Sequence, residues 1–162
     1  MRKSVIVSNR LPLQISKLEN SFLFQPSSGG LATGLDSVHK NNDSIWVGWS
    51  GITSDELTKK NKLEIKNTLD DLRLIEVELN QKEVDEFYHG LSNKCIWPLF
   101  HYFIELAKFN EVDWLTYVDV NKKFCERVIQ NTEQNGVVWV HDYQLMLLPK
   151  LIKEQRPDLT IG

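Results

Sequence analysis

The sequence predicts an α/β fold, a Rossmann-like parallel sheet with helices on both faces. Short apolar runs alternate with longer charged or amphipathic segments along its 162 residues. The first run, residues 5–8, is continuously apolar or small, which is typical of a strand buried on both faces of a parallel sheet. Because strands and helices alternate along the chain, helices are expected to cover that sheet.

The other elements follow in chain order from local signals. Four more segments have the composition of strands: residues 44–51, 72–79, 137–141 and 159–162. Helices are predicted from Gly30, over 55–71, from Asn80, from Asp113 and over 142–154. Asn80 followed by Glu83 has the pattern of a capped helix start. The helix from Asp113 carries an apolar stripe that predicts core packing rather than a ligand site: Trp114, Tyr117, Val118, Phe124, Cys125, Val128 and Ile129.

Composition limits the classes of function. With 41% hydrophobic residues and five tryptophans, the chain can bury a core of one domain's size. A formal net charge of −3 disfavours general electrostatic binding of nucleic acid, and no segment approaches the ~20 apolar residues of a membrane span. Cys95 and Cys125 form neither CxxC nor a metal-like cluster, so we expect reduced thiols in a cytoplasmic protein.

Residues 159–162 open a strand, which predicts an incomplete domain, since the ladder groups of a buried strand need partners.

Ser8, Asn9 and Arg10 follow the first apolar run. A strand that ends here places Asn9 and Arg10 at the carboxyl edge of the sheet, where ligands bind in open α/β folds. The guanidinium of Arg10 presents paired planar donors that match a phosphate group. A surface arginine in a salt bridge is the alternative interpretation.

The pair Gly29 and Gly30 leads into apolar residues at helical spacing. Glycines at a helix start let a ligand approach the backbone, and the unpaired amides with the helix dipole favour a phosphate or diphosphate. The segment is neither a P-loop nor a GxGxxG motif. A plain turn stays open as the alternative.

Two further clusters carry chemistry. Residues 87–102 are dense in Phe, Tyr, Trp and His around Pro98, which suits a sugar-binding surface or, alternatively, an aromatic core patch. His141 and Asp142 follow a strand and precede a helix. There Asp142 could accept a hydrogen bond from a substrate hydroxyl, act as a base, or only cap the helix. A metal site is disfavoured, because adjacent residues of an extended segment point to opposite sides.

Five motifs, in order and spacing, resemble the amino-terminal half of trehalose-6-phosphate synthases: SNRLP, SSGGLATGL, WVGWSG, FYHGLSNKCIWPLFHY and VWVHDYQLMLLP. The resemblance covers residues 4–162. It implies a retaining glycosyltransferase of family 20 with the two-domain GT-B fold, which transfers glucose from UDP-glucose to glucose 6-phosphate in trehalose biosynthesis. Residues 1–162 would be its amino-terminal acceptor-binding domain, truncated and without the carboxy-terminal donor-binding domain.

The resemblance also implies roles for residues of the acceptor site. Arg10 would hold the phosphate of glucose 6-phosphate, and Asp142 would bind acceptor hydroxyls near the reacting centre. Trp49, Tyr88 and Trp97 would shape the pocket, with Trp97 also selecting the anomer. Asp142 is thus the candidate catalytic residue, as a positioner more than a nucleophile, because donor phosphate oxygens would serve as the base.

On the donor side, Gly29 and Gly30 would place backbone amides beside the diphosphate of UDP-glucose. No DxD triplet occurs in the chain, so neither a divalent metal nor another cofactor is expected. In the family, the active-site histidine and the cations that neutralise the leaving UDP come after the matched residues, so this chain alone is predicted to be inactive. A homo-oligomer is compatible with the sequence.

Three alternatives remain open. A close relative could use another phosphorylated acceptor, such as glycerol 3-phosphate. A regulatory, synthase-like subunit could bind a sugar phosphate without catalysis. A generic nucleotide-binding module is the third, although the aromatic segment 87–102 argues against it.

Overall fold

The computed structural model describes residues 4–19 and 21–162. They form seven strands: β1 (Ser4–Arg10), β2 (Leu13–Lys17), β3 (Phe22–Pro26), β4 (Ile45–Trp49), β5 (Leu74–Glu76), β6 (Val137–Val140) and β7 (Thr160–Ile161). Five of these strands make one parallel sheet in the order β5-β4-β1-β6-β7. The predicted parallel α/β sheet is confirmed, with β1 at its centre.

The helices follow the predicted alternation: α1 (Gly30–Asn41), α2 (Lys59–Asp71), α3 (Gln81–Glu83), a π-helix (Val84–Ile96), α4 (Trp97–Phe100), α5 (Glu111–Asn131) and α6 (Leu148–Gln155). The capped start at Asn80 is confirmed: its side chain accepts from the Glu83 N–H at 2.8 Å, and Glu83 accepts from the Asn80 N–H at 2.9 Å. Such reciprocal bonds satisfy amides that have no partner within the helix.

Alternating side chains of β1 point into two separate cores. Val5 and Val7 pack with α5, α6 and the π-helix, whereas Ile6 packs on the other face with α1, α2 and the β2–β3 hairpin. Helices therefore cover both faces of the sheet, as predicted. Burial on both faces also explains why the first strand reads as a continuous apolar run.

The hairpin formed by β2 and β3 was not predicted. Its strands pair antiparallel, with Ile15 opposite Phe24, and both side chains belong to the core that contains Ile6. The segment between β1 and α1, for which no strand is predicted, is therefore a paired element. Its signals were the alternation of apolar residues in LQISK and the short apolar run at the start of FLFQP.

Three predicted elements have different limits. The strand expected over 72–79 is only Leu74–Glu76, because the chain then turns away and the Leu79 carbonyl accepts from Ser54 N–H at 2.8 Å. The helix expected over 55–71 begins at Lys59, where Thr58 caps it. The helix expected over 142–154 is instead a 3₁₀ turn, Tyr143–Leu145, followed by α6.

The apolar stripe of α5 is largely core, as predicted. Tyr117, Phe124, Cys125 and Val128 are buried against the sheet. Trp114 is the exception, with 38% of its surface exposed.

Candidate functional site

Arg10, Trp49 and Tyr88 form one cluster at the carboxyl edge of the sheet. β1 and β4 are neighbours, with Arg10 paired to Trp49 in register, and the guanidinium carbon lies 4.4 Å from the centroid of the indole ring. The Tyr88 ring meets that indole edge-on at 6.4 Å. The Trp49 N–H donates to the Ile52 carbonyl at 2.8 Å, which fixes the buried ring. Three residues that are distant in sequence therefore share one wall.

The charge of Arg10 has an aromatic neighbour rather than an acidic one. Among residues 4–19 and 21–162, no carboxylate lies within ion-pair distance of its guanidinium, which disfavours the salt-bridge alternative. Burial lowers the pKa of Arg10, but arginine stays protonated in proteins. A half-buried cation stacked on an indole is suited to an incoming anion.

Asp142 lies two residues past the end of β6, beside Asn9, the residue that precedes Arg10. Its Oδ2 accepts from the Asn9 N–H at 2.8 Å, a bond made possible because β6 pairs with β1. The capping alternative is wrong, since the Asp142 side chain makes no cap bond to the turn that follows. Its backbone has φ +73°, a conformation that non-glycine residues adopt rarely and that clusters at functional sites.

Helix α5 holds the turn after Asp142. The Tyr117 hydroxyl donates to the Tyr143 carbonyl at 2.9 Å and accepts from the Met146 N–H at 3.1 Å. The Asn121 side chain donates to the Gln144 carbonyl at 3.1 Å. Sequence reasoning assigned Tyr117 to the core and did not find this polar role, because the α5 stripe shows only its apolar periodicity.

His141 lies beneath the same edge. Its backbone N–H donates to the Val7 carbonyl at 2.8 Å, continuing the β1–β6 pairing past the end of β6. Burial lowers the pKa of its imidazole. Nε2 is buried and has no hydrogen-bond partner among the described residues.

The glycine pair begins α1 as predicted. Gly29 is the N-cap residue, with an extended backbone and no side-chain cap bond. A Cβ built at either glycine would meet nothing within 4 Å, so the space in front of both backbones is open. Ser27 ties the segment to the end of β1: its hydroxyl donates to the Leu11 carbonyl at 2.7 Å and its N–H to the Pro12 carbonyl at 2.8 Å.

In the described ranges, Trp97 makes no ring contact with Arg10, Trp49 or Tyr88. Its ring is 43% exposed and stacks on His101 at 4.0 Å between centroids. One helical turn earlier, Asn93 accepts from the Tyr143 hydroxyl at 3.0 Å, which links this helix to the Asp142 turn. The aromatic segment thus divides, since Phe87 is core whereas Trp97 and Phe100 are exposed to solvent.

The described ranges, 4–19 and 21–162, show neither a cluster of metal ligands nor a membrane-spanning helix. They hold no group of three or more His, Cys, Asp or Glu side chains that could hold a metal ion. No helix within them is both long and apolar enough to cross a membrane.

Comparisons with known proteins agree on one family. The model of glycosyltransferase family 20 matches residues 2–162. Trehalose-6-phosphate synthase of Mycobacterium leprae (strain TN) is 41% identical over 160 residues, which are 98% of this chain and 32% of that protein. Alpha,alpha-trehalose-phosphate synthase (UDP-forming) A of Dictyostelium discoideum is also 41% identical over 160 residues, 98% of this chain and 21% of its own length.

A solved structure gives the same result. The alpha,alpha-trehalose-phosphate synthase (UDP-forming) of Burkholderia xenovorans in complex with glucose-6-phosphate superposes with a TM-score of 0.72 at 26% identity. The match covers 99% of this chain and 32% of that one. This chain therefore spans about a third or less of the length of these relatives.

Proposed function

This chain belongs to glycosyltransferase family 20, and on that basis we propose that it carries the acceptor side of a glucosyltransferase site. The reaction would move glucose from UDP-glucose to glucose 6-phosphate, forming α,α-trehalose 6-phosphate. The names of the relatives support this activity, as does a related structure that holds glucose-6-phosphate.

The observation that carries the proposal is the position of Arg10. Its guanidinium is half buried, lies on the Trp49 ring and has no carboxylate within ion-pair distance in the described ranges. A phosphate dianion would supply the missing counter-charge through paired N–H donors. Trp49 and Tyr88 would then border the apolar face of a hexose, which an acceptor such as glycerol 3-phosphate lacks.

Asp142 would orient the acceptor. Oδ2 accepts a hydrogen bond from the Asn9 amide, whereas the described residues make no hydrogen bond to Oδ1. Oδ1 would therefore accept a hydrogen bond from a sugar hydroxyl. Fixing that hydroxyl contributes by orientation, because the attacking oxygen is held in place before the transfer. Trp97 would border the same acceptor from the exposed end of the aromatic segment and help to select its anomer.

Gly29 and Gly30 would receive the donor's diphosphate. The first amides of a helix have no intrahelical partner, and the open space before both glycines admits a phosphate group. We propose no metal and no cofactor. A cytoplasmic location, favoured by the free thiols of Cys95 and Cys125, and a homo-oligomer are further proposals.

Calorimetric titration of the 162-residue chain tests the acceptor role. We expect glucose 6-phosphate to bind more tightly than glucose and glycerol 3-phosphate, because only it offers both phosphate and hexose. Arg10→Ala should weaken glucose 6-phosphate binding about 10- to 100-fold, the range for a lost charge-assisted bond, and change glucose binding less than about twofold.

The matched control is Arg127→Ala, which removes an exposed arginine from α5. Its affinity for glucose 6-phosphate should equal that of the unaltered chain. Equal losses for both arginine variants would contradict the proposal, as would tighter binding of glycerol 3-phosphate than of glucose 6-phosphate.

A further inference from the structure

β1 contains a bulge immediately before Arg10. Val7 pairs with Val47 and Arg10 with Trp49, so three residue steps on β1 lie opposite two steps on β4. Bulges re-aim side chains and are frequent beside functional sites. Ser8 stabilises this one, since its hydroxyl accepts from the Trp46 indole N–H and donates to the Arg10 carbonyl, both at 2.7 Å. The backbone of Arg10 is therefore held from within the sheet.

Gly48 makes room for the bulge on β4. A Cβ there would lie 2.9 Å from both the Ser8 carbonyl oxygen and the Leu11 nitrogen. These are backbone atoms in hydrogen-bonded strands, so they could not move aside without disturbing the sheet. Gly48 is thus needed for the packing of the backbone, and a side chain there would not contact the side chain of Arg10 first.

Gly51 acts on the side chain of Arg10. A Cβ built on Gly51 would lie 2.7 Å from Nη2 and 3.0 Å from Cζ of Arg10. A second boundary is the Trp49 ring, whose centroid lies 4.4 Å from the same Cζ. The guanidinium therefore contacts an indole face and lies against a glycine backbone, where a single methyl group would clash with it.

We propose that Gly51 is a positioning residue for Arg10: its missing side chain keeps the guanidinium on the Trp49 ring, oriented to bind a phosphate. The phosphate part of this inference rests on the proposed function. The clash involves the far end of a flexible side chain, so a Cβ at Gly51 displaces the guanidinium more readily than it disrupts the sheet. Bidentate recognition depends on guanidinium orientation, so displacement lowers phosphate affinity.

The first measurement needs no ligand. Aromatic ring currents shift the NMR signals of nuclei above the ring, so the Arg10 side chain of the unaltered chain should show displaced resonances, assigned by their loss in Arg10→Ala. Gly51→Ala should return them toward ordinary arginine values. Gly51 has φ +96°, where alanine is strained, so Gly51→Asn is the second variant, because asparagine tolerates positive φ better and also adds a Cβ. Gly34→Ala is the control, since its Cβ meets nothing within 4 Å.

The second measurement is the affinity for glucose 6-phosphate relative to glucose. We expect this preference to fall about tenfold in each Gly51 variant. In the Arg10→Ala background, the same Gly51 substitutions should cause no further decrease. A loss that persists in the Arg10→Ala background would reveal a merely structural role and overturn the inference. Unchanged Arg10 resonances in both Gly51 variants would also overturn it. Shifted resonances with no phosphate preference in any chain would leave Gly51 as a positioning residue and refute the proposed function instead.

Discussion

Tyr117→Phe tests how α5 holds the turn that carries Asp142. The Tyr117 side chain is fully buried, and its hydroxyl is the only group that the substitution removes. That hydroxyl joins the Tyr143 carbonyl and the Met146 N–H across the turn. The ring contacts with Phe87 and Trp114 are retained in the variant, so packing should change little.

The expected loss follows from two hydrogen bonds. Each is worth about 0.5–1.5 kcal/mol net, and both groups lie in partly buried positions, so the free energy of unfolding should fall by about 2 kcal/mol. For a chain of this size, that corresponds to a decrease in Tm of about 4–8 °C. Burial also raises the pKa of Tyr117 to about 12. The neutral hydroxyl therefore contributes stability that is complete below pH ~10 and is lost as the pH rises toward 12.

The assay is urea unfolding followed by circular dichroism at pH 7 and again between pH 9 and 11.5. Tyr102→Phe is the matched control, because Tyr102 is 89% exposed and its hydroxyl makes no hydrogen bond to the described residues. A Tyr117→Phe variant whose free energy of unfolding stays within about 0.5 kcal/mol of the control would refute this account of the turn. So would an unchanged alkaline loss of stability in that variant.

Two other buried groups give pH-dependent predictions. Burial raises the pKa of Glu76, which accepts a hydrogen bond from the Ser50 hydroxyl. The contribution of its protonated carboxyl to the free energy of unfolding is therefore full below about pH 4.5 and declines as the pH rises through the folded-state pKa. Glu76→Gln should therefore unfold at higher urea concentration than the unaltered chain at pH 7, and a lower midpoint would contradict this. Burial lowers the pKa of His39, so stability should fall as the pH drops below about 6.5, and urea titrations of His39→Gln should show a smaller fall.

The strands of the central sheet were predictable because each was a local signal. Residues 5–8 form a continuous apolar run, and the structure buries them on both faces of the sheet. Asn80 and Glu83 predicted a helix start, because their reciprocal hydrogen bonds join residues only three positions apart. The hairpin Leu13–Lys17 with Phe22–Pro26 was missed because only its first strand alternates, whereas the second begins with three consecutive apolar residues.

Contacts between distant segments could not be predicted. The Asn9–Asp142 bond joins residues 133 positions apart and exists only because β6 lies beside β1. The bulge before Arg10 depends on the β4 register and on Gly48, neither of which leaves a pattern in SNRLP. For the same reason, the sequence placed Arg10 at the correct edge but gave no indication that Gly51 borders its guanidinium.

The strand order itself explains why these residues meet. From β1 the chain builds outward through β4 to β5, then returns to the other side of β1 for β6 and β7. The reversal makes the boundary of β1 and β6 a topological switch point, where connections diverge to opposite faces and leave a crevice outside the strand ends. The Asp142–Asn9 bond lies at that boundary, and Arg10 follows Asn9 directly. A ligand in this crevice would meet a carboxylate, which accepts hydrogen bonds from hydroxyls, and a guanidinium, which pairs with phosphate.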